Sequence, residues 1–66
     1  MGDKPFVGAI VHRRTPNGCD AAIVTYVWPD DTVNLVEFSM YGDPRPQLRL
    51  PQSDETGAWH WPEEAS

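Results

Sequence analysis

Two histidines and a single cysteine, His12, Cys19 and His60, are the side chains of this chain with the most chemistry to offer. Imidazole nitrogen and thiolate sulfur are the donors of zinc and related metal sites, and a thiol beside an imidazole is the basic unit of nucleophilic catalysis. Their spacing argues against both roles. Zinc motifs bring ligands in close pairs such as C-x-x-C, and no two of these three residues are paired that way. A metal site would have to be assembled entirely by the fold, so no metal and no other cofactor is expected. A Cys19–His12 or Cys19–His60 dyad would need a closed pocket, for which a chain of 66 residues has little room. Ser39 and Ser53 lack the glycine-flanked elbow of a serine nucleophile, and Asp30 and Asp31 follow Pro29 as turn residues. The expectation is a protein without catalytic activity.

Recognition is better served than catalysis. The stretch Gly57-Ala58-Trp59-His60-Trp61-Pro62-Glu63-Glu64 holds two of the three tryptophans. On a strand, Trp59 and Trp61 share one face and His60 takes the other. Either both indoles are core, or one of them joins Trp28 or Tyr41 to line a groove for a peptide, a methylated lysine or a nucleobase. Arg13, Arg14, Arg45 and Arg49 supply nearly all the positive charge, and would form an anion site if the fold brought them together. The candidate binding residues are therefore Trp59, His60, Trp61, Trp28, Tyr41, Arg13, Arg14, Arg45 and Arg49.

The elements that must position these residues are strands. Residues 6–12 are short, apolar and β-branched, with Gly8 marking a bend or bulge. Thr15-Pro16-Asn17-Gly18 is a turn, and residues 21–28 form a second strand rich in strand formers. Pro29-Asp30-Asp31 reverses the chain. Residues 32–41 then alternate, with Val36, Phe38 and Met40 on one face and Leu35, Glu37 and Ser39 on the other. A second reversal at residues 42–46 leads to a short strand at 47–50. A polar single turn is expected at 52–56, before the closing strand that starts at Gly57. Proline or glycine interrupts every candidate helix. Five short strands are expected to close into a small SH3-like barrel, all-β, with an OB-like barrel or an open antiparallel sheet as alternatives. Residues 1–5 read as a tether, 6–62 as one domain and 63–66 as an acidic tail.

Composition narrows the partners. Ten acidic residues against five basic give a formal charge of −5, which opposes general binding to nucleic acid. One cysteine excludes an internal disulfide and suits a reducing compartment. No apolar run has the length of a membrane span. A chain this short has one small core, supplying roughly 3–5 kcal/mol, so a homo-oligomer is a natural means of support.

The segments Val7-Gly8-Ala9-Ile10-Val11-His12, Cys19-Asp20-Ala21-Ala22-Ile23-Val24-Thr25 and Gly57-Ala58-Trp59-His60-Trp61-Pro62-Glu63 carry a resemblance. Together they resemble a group of small proteins of actinobacterial phages and prophage-bearing genomes, with a G-x-I-V-H … C-x-A-A-I-V-T … G-x-W-H-W-P-E pattern. His12, Cys19 and His60 fall on its positions, whereas residues 34–52 depart from it. The resemblance implies a phage-type provenance; with the small size, acidity and aromatic closing strand, the expectation is an accessory protein in the host cytoplasm that engages or sequesters a host component. That component would be a protein surface or a nucleotide-like ligand. The alternative is a virion component, such as a small decoration or tail-associated protein.

Overall fold

The computed structural model describes residues 4–62. It is all-β, with five strands: β1 (Ile10–Thr15), β2 (Gly18–Val27), β3 (Val33–Phe38), β4 (Pro44–Leu50) and β5 (Trp59–His60). They form one antiparallel sheet in the order β4-β3-β2-β1-β5. Residues 1–3 of the expected tether and the expected acidic tail at 63–66 lie outside the described residues.

Local chemistry sets each turn. Pro16 and Asn17 join β1 to β2, Gly18 takes φ 133°, and the Thr15 hydroxyl accepts the Asn17 amide while donating to the Gly18 carbonyl. This two-residue connection fixes the register in which Arg14 faces Cys19 and His12 faces Ala21. Between β2 and β3 the Asp30 carboxylate accepts the backbone amide and the hydroxyl of Thr32, and Asp31 adopts φ 70°. Between β3 and β4 the Ser39 hydroxyl oxygen accepts the amides of Tyr41 and Asp43.

The structure departs from the expected boundaries in three places, each for a physical reason. Residues 6–9 form a turn, with Gly8 at φ 92°, and β1 begins only at Ile10. The reversal expected at 42–46 is complete by Asp43, and Pro44 and Pro46 belong to β4. An edge strand tolerates proline because half of its amides have no strand partner to meet. Residues 53–57 pass through bends and a turn rather than a 3₁₀ turn.

The sheet is not closed into a barrel, and the open antiparallel sheet is the arrangement observed. One contact approaches closure. The Trp59 amide donates to the Pro51 carbonyl and the Ser53 amide to the Trp59 carbonyl, making a single parallel bridge from Gln52 to Trp59. Only two residues long, β5 spans the gap without extending the ladder.

Side chains alternate across the sheet, and one face is the core. Val11, Ala22, Val24, Val33, Leu35 and Trp59 are buried together with Ala9, and Val27, Leu50 and Trp61 pack against them. Trp59 is the largest of these buried groups. Burying an indole of about 150–250 Å² is worth up to about 4–6 kcal/mol, comparable with the whole net stability of so small a domain. On β3 the buried face carries Val33, Leu35 and Glu37, while Val36 and Phe38 look outward and are only partly covered. Glu37, 2 % exposed, is thus a carboxylate in the core face.

Candidate functional site

Three strands converge on the outer face of the sheet, opposite the core. On β1, His12 lies directly across from His60 of β5 on one side and from Ala21 of β2 on the other. Cys19 stands on β2 opposite Arg14, one diagonal step from His12, so all three side chains leave the same face. The fold thus joins residues that are 41 positions apart: the Cys19 sulfur lies 3.2 Å from Nε2 of His60. The two imidazoles meet edge to face, with centroids 5.6 Å apart. One ligand atom from each of His12, Cys19 and His60 falls within 4.8 Å of the others. Cys19 is exposed, His12 half-buried and His60 buried.

The second nitrogen of His60 decides what the first can do. Nδ1 is 2.9 Å from the Trp61 carbonyl, which can only accept, so Nδ1 carries the proton. In the neutral ring Nε2 is then a lone pair aimed at the Cys19 sulfur, and the thiol donates to it. Arg14, the cross-strand neighbour of Cys19, turns its Nε toward the Asp54 carbonyl at 3.2 Å. The spacing that argued against a metal site is therefore overridden by strand register, which supplies the adjacency that sequence proximity does not.

The other candidate residues are placed as follows. Trp59 is fully buried in the core, with its ring edge to face against Trp61 at 5.5 Å, and so offers no surface to a ligand. Half-buried Trp61 is tilted against Phe6 at 6.0 Å. Trp28 donates from Nε1 to the Asn34 side chain at 2.9 Å, and the Arg49 guanidinium covers its ring at 3.8 Å. That cation–π contact occupies the indole face a base would stack on. Arg13 is committed to Glu37, with Nη1 3.1 and 3.2 Å from the two carboxylate oxygens. Arg45 and Tyr41 are exposed, and with Arg13 they line a cleft of about 620 Å³ at one end of the core face. The arginines do not assemble into one anion site. Arg13 and Arg45 share the cleft, while Arg14 and Arg49 are engaged elsewhere.

Glu37, Gln47 and Asn34 are the residues that sequence reasoning passed over. Gln47 donates to Glu37 at 3.1 Å, completing three hydrogen bonds to that buried carboxylate. Asn34 accepts from both the Trp28 indole and the Arg49 amide. The one sequence signal was Glu37 in phase with Leu35 on an alternating strand.

Beside the His–Cys–His cluster, the outer face carries an apolar strip. Cross-strand pairing sets Ile10, Ile23, Val36 and Pro46 in one row over four strands, and Ala21, Phe38 and Pro44 in the next. Ile10 is 63 % and Ile23 39 % exposed, while Val36 between Ile23 and Pro46 is partly covered. Comparison of the chain with known protein families, with curated proteins and with solved structures finds no match.

Proposed function

We propose that the chain is a non-enzymatic accessory binding module that engages a host protein through the outer face of its sheet. The observation that carries this reading is the row Ile10–Ile23–Val36–Pro46, an apolar strip across four strands on the face opposite the core. Apolar side chains left exposed on a sheet face mark a surface that a partner can cover, and Ile10 and Ile23 are so exposed.

Between the two partner classes, the geometry favours a protein surface over a nucleotide-like ligand. An indole platform for a stacked base needs an open ring with a cation beside it. Trp59 is buried, Trp28 is capped by Arg49, and Arg13 is held by Glu37. A flat apolar strip with a polar rim suits the centre of a protein interface, where apolar anchors carry most of the binding energy.

The test is affinity capture from an actinobacterial host lysate, comparing the wild type with an Ile10→Glu/Ile23→Glu variant. Both positions are exposed, so the variant keeps its circular dichroism spectrum. A host protein retained by the wild type and lost by the variant supports the reading. Equal retention by both, or no specific protein on the wild type, overturns it.

A further inference from the structure

We propose that His12, Cys19 and His60 form a transition-metal site, with zinc as the first candidate, in which three protein ligands leave a fourth position open to the outside. This inference stands on the cluster alone and is independent of the protein-partner reading.

The donor set comes first. Two imidazole nitrogens and one thiolate select borderline and soft ions such as Zn(II), Co(II) and Cu(I), and reject Mg(II) and Ca(II), which take oxygen ligands. Distance comes second. Tetrahedral zinc with bonds of about 2.0–2.3 Å places its ligand atoms about 3.3–3.7 Å apart. The Cys19–His60 separation of 3.2 Å lies just below this range, and the widest separation, within 4.8 Å, must shorten on binding.

Orientation is the third and most discriminating point. Metal-bound histidines characteristically give their other ring N–H to a carbonyl or carboxylate, which fixes the tautomer and turns the free lone pair toward the metal. His60 has this arrangement, with Nδ1 on the Trp61 carbonyl and Nε2 aimed at the Cys19 sulfur. An ordinary thiol–imidazole contact accounts for Cys19 and His60, and the cross-strand pairing of His12 with His60 brings a third donor to the same point.

Electrostatics are compatible. The Arg14 guanidinium, the nearest cross-strand cation by register, is drawn off by the Asp54 carbonyl, and the chain as a whole is acidic. Binding replaces the Cys19 S–H bond with a sulfur–metal bond and releases that proton to solvent, with no change in oxidation state. The three ligands come from β1, β2 and β5, so an ion there would pin the two-residue strand β5 to the β1–β2 hairpin.

The experiment titrates reduced, chelator-treated protein with Co(II), following sulfur-to-cobalt charge transfer in the near ultraviolet and ligand-field bands in the visible. Zn(II) is then added as competitor. The expected result is a thiolate band with four-coordinate ligand-field intensity, bleached by Zn(II) and unaffected by Mg(II). One metal per chain means that water or another small ligand fills the fourth position. One metal per two chains, with the same band, also supports the ligand set, the second copy closing the coordination.

Cys19→Ser should abolish the charge-transfer band, and His12→Gln should weaken binding at least about tenfold, the scale on which even supporting residues of metal sites act. Both positions reach the surface, so both variants keep the wild-type tryptophan fluorescence. Zn(II) should raise the thermal midpoint of the wild type and leave that of Cys19→Ser unchanged. No thiolate band in the wild type, or wild-type affinity in either variant, would overturn the site.

Discussion

The Arg13–Glu37 pair allows a quantitative test of how this small core tolerates a charge. The perturbation is a double-mutant cycle of Arg13→Met, Glu37→Leu and the combination. Glu37 is almost wholly buried and accepts three hydrogen bonds, two from Arg13 and one from Gln47. Arg13→Met removes two of the three and strands a carboxylate away from water, for an expected loss of about 3 kcal/mol. A domain with roughly 3–5 kcal/mol in total would be brought close to its unfolding midpoint. Glu37→Leu should cost less, about 1–2 kcal/mol, because the Arg13 side chain is 24 % exposed and can turn toward solvent. The double variant replaces the pair with apolar groups of similar volume and should lie within about 1 kcal/mol of the wild type. The coupling energy is then about 4–5 kcal/mol, measured by urea denaturation with tryptophan fluorescence. Sucrose in every sample keeps a folded baseline for Arg13→Met. A coupling below about 0.5 kcal/mol, or a double variant less stable than Arg13→Met, would refute the reasoning.

Two further outcomes are expected. Asn34→Ala removes the shared acceptor of the Trp28 indole and the Arg49 amide, so it should cost about 1–3 kcal/mol and shift the Trp28 indole proton resonance. An unmoved resonance would show that the bond is not formed in solution. The Asp30 carboxyl is held below its ordinary value of 3.8, chiefly by the Thr32 hydroxyl, then by the Thr32 amide, with Arg49 nearby. A pKa depressed by folding stabilises the native state above the unfolded value, and that contribution is lost as pH falls through the folded one. Thr32→Ala should therefore raise the Asp30 midpoint in a carbon-detected NMR titration, and an unchanged midpoint would contradict the assigned cause.

Much of the fold was legible from the chain because its strands announce themselves locally. The second strand is dense in β-branched and aromatic residues, and the third alternates cleanly. The buried face of that third strand was not legible. Val36, Phe38 and Met40 are more apolar than Leu35, Glu37 and Ser39, yet Leu35 and Glu37 face the core. Glu37 is acceptable there only because Arg13 arrives from β1 and Gln47 from β4, and neither is adjacent in sequence. Strand alternation placed Trp59 and His60 on opposite faces, but not which face was wet. The His–Cys–His cluster escaped for the same reason as Glu37. Its spacing carries no motif, and its adjacency exists only once β1 is paired with both β2 and β5.

The placement of β5 has a consequence in time. Strands β1 to β4 pair with sequence neighbours and can zip up as they emerge, but the indole at the centre of the core belongs to the strand that comes last in chain order. At about 5–20 residues per second, roughly 2–10 s separate the synthesis of His12 from that of its cross-strand partner His60. Until Trp59 has been made and has docked, Val11, Val24 and Leu35 lack their largest packing partner. Cys19 marks the end of this period, because its sulfur meets His60 only when β5 has docked. Formation of the Cys19–His60 contact is thus a marker for the last step of folding.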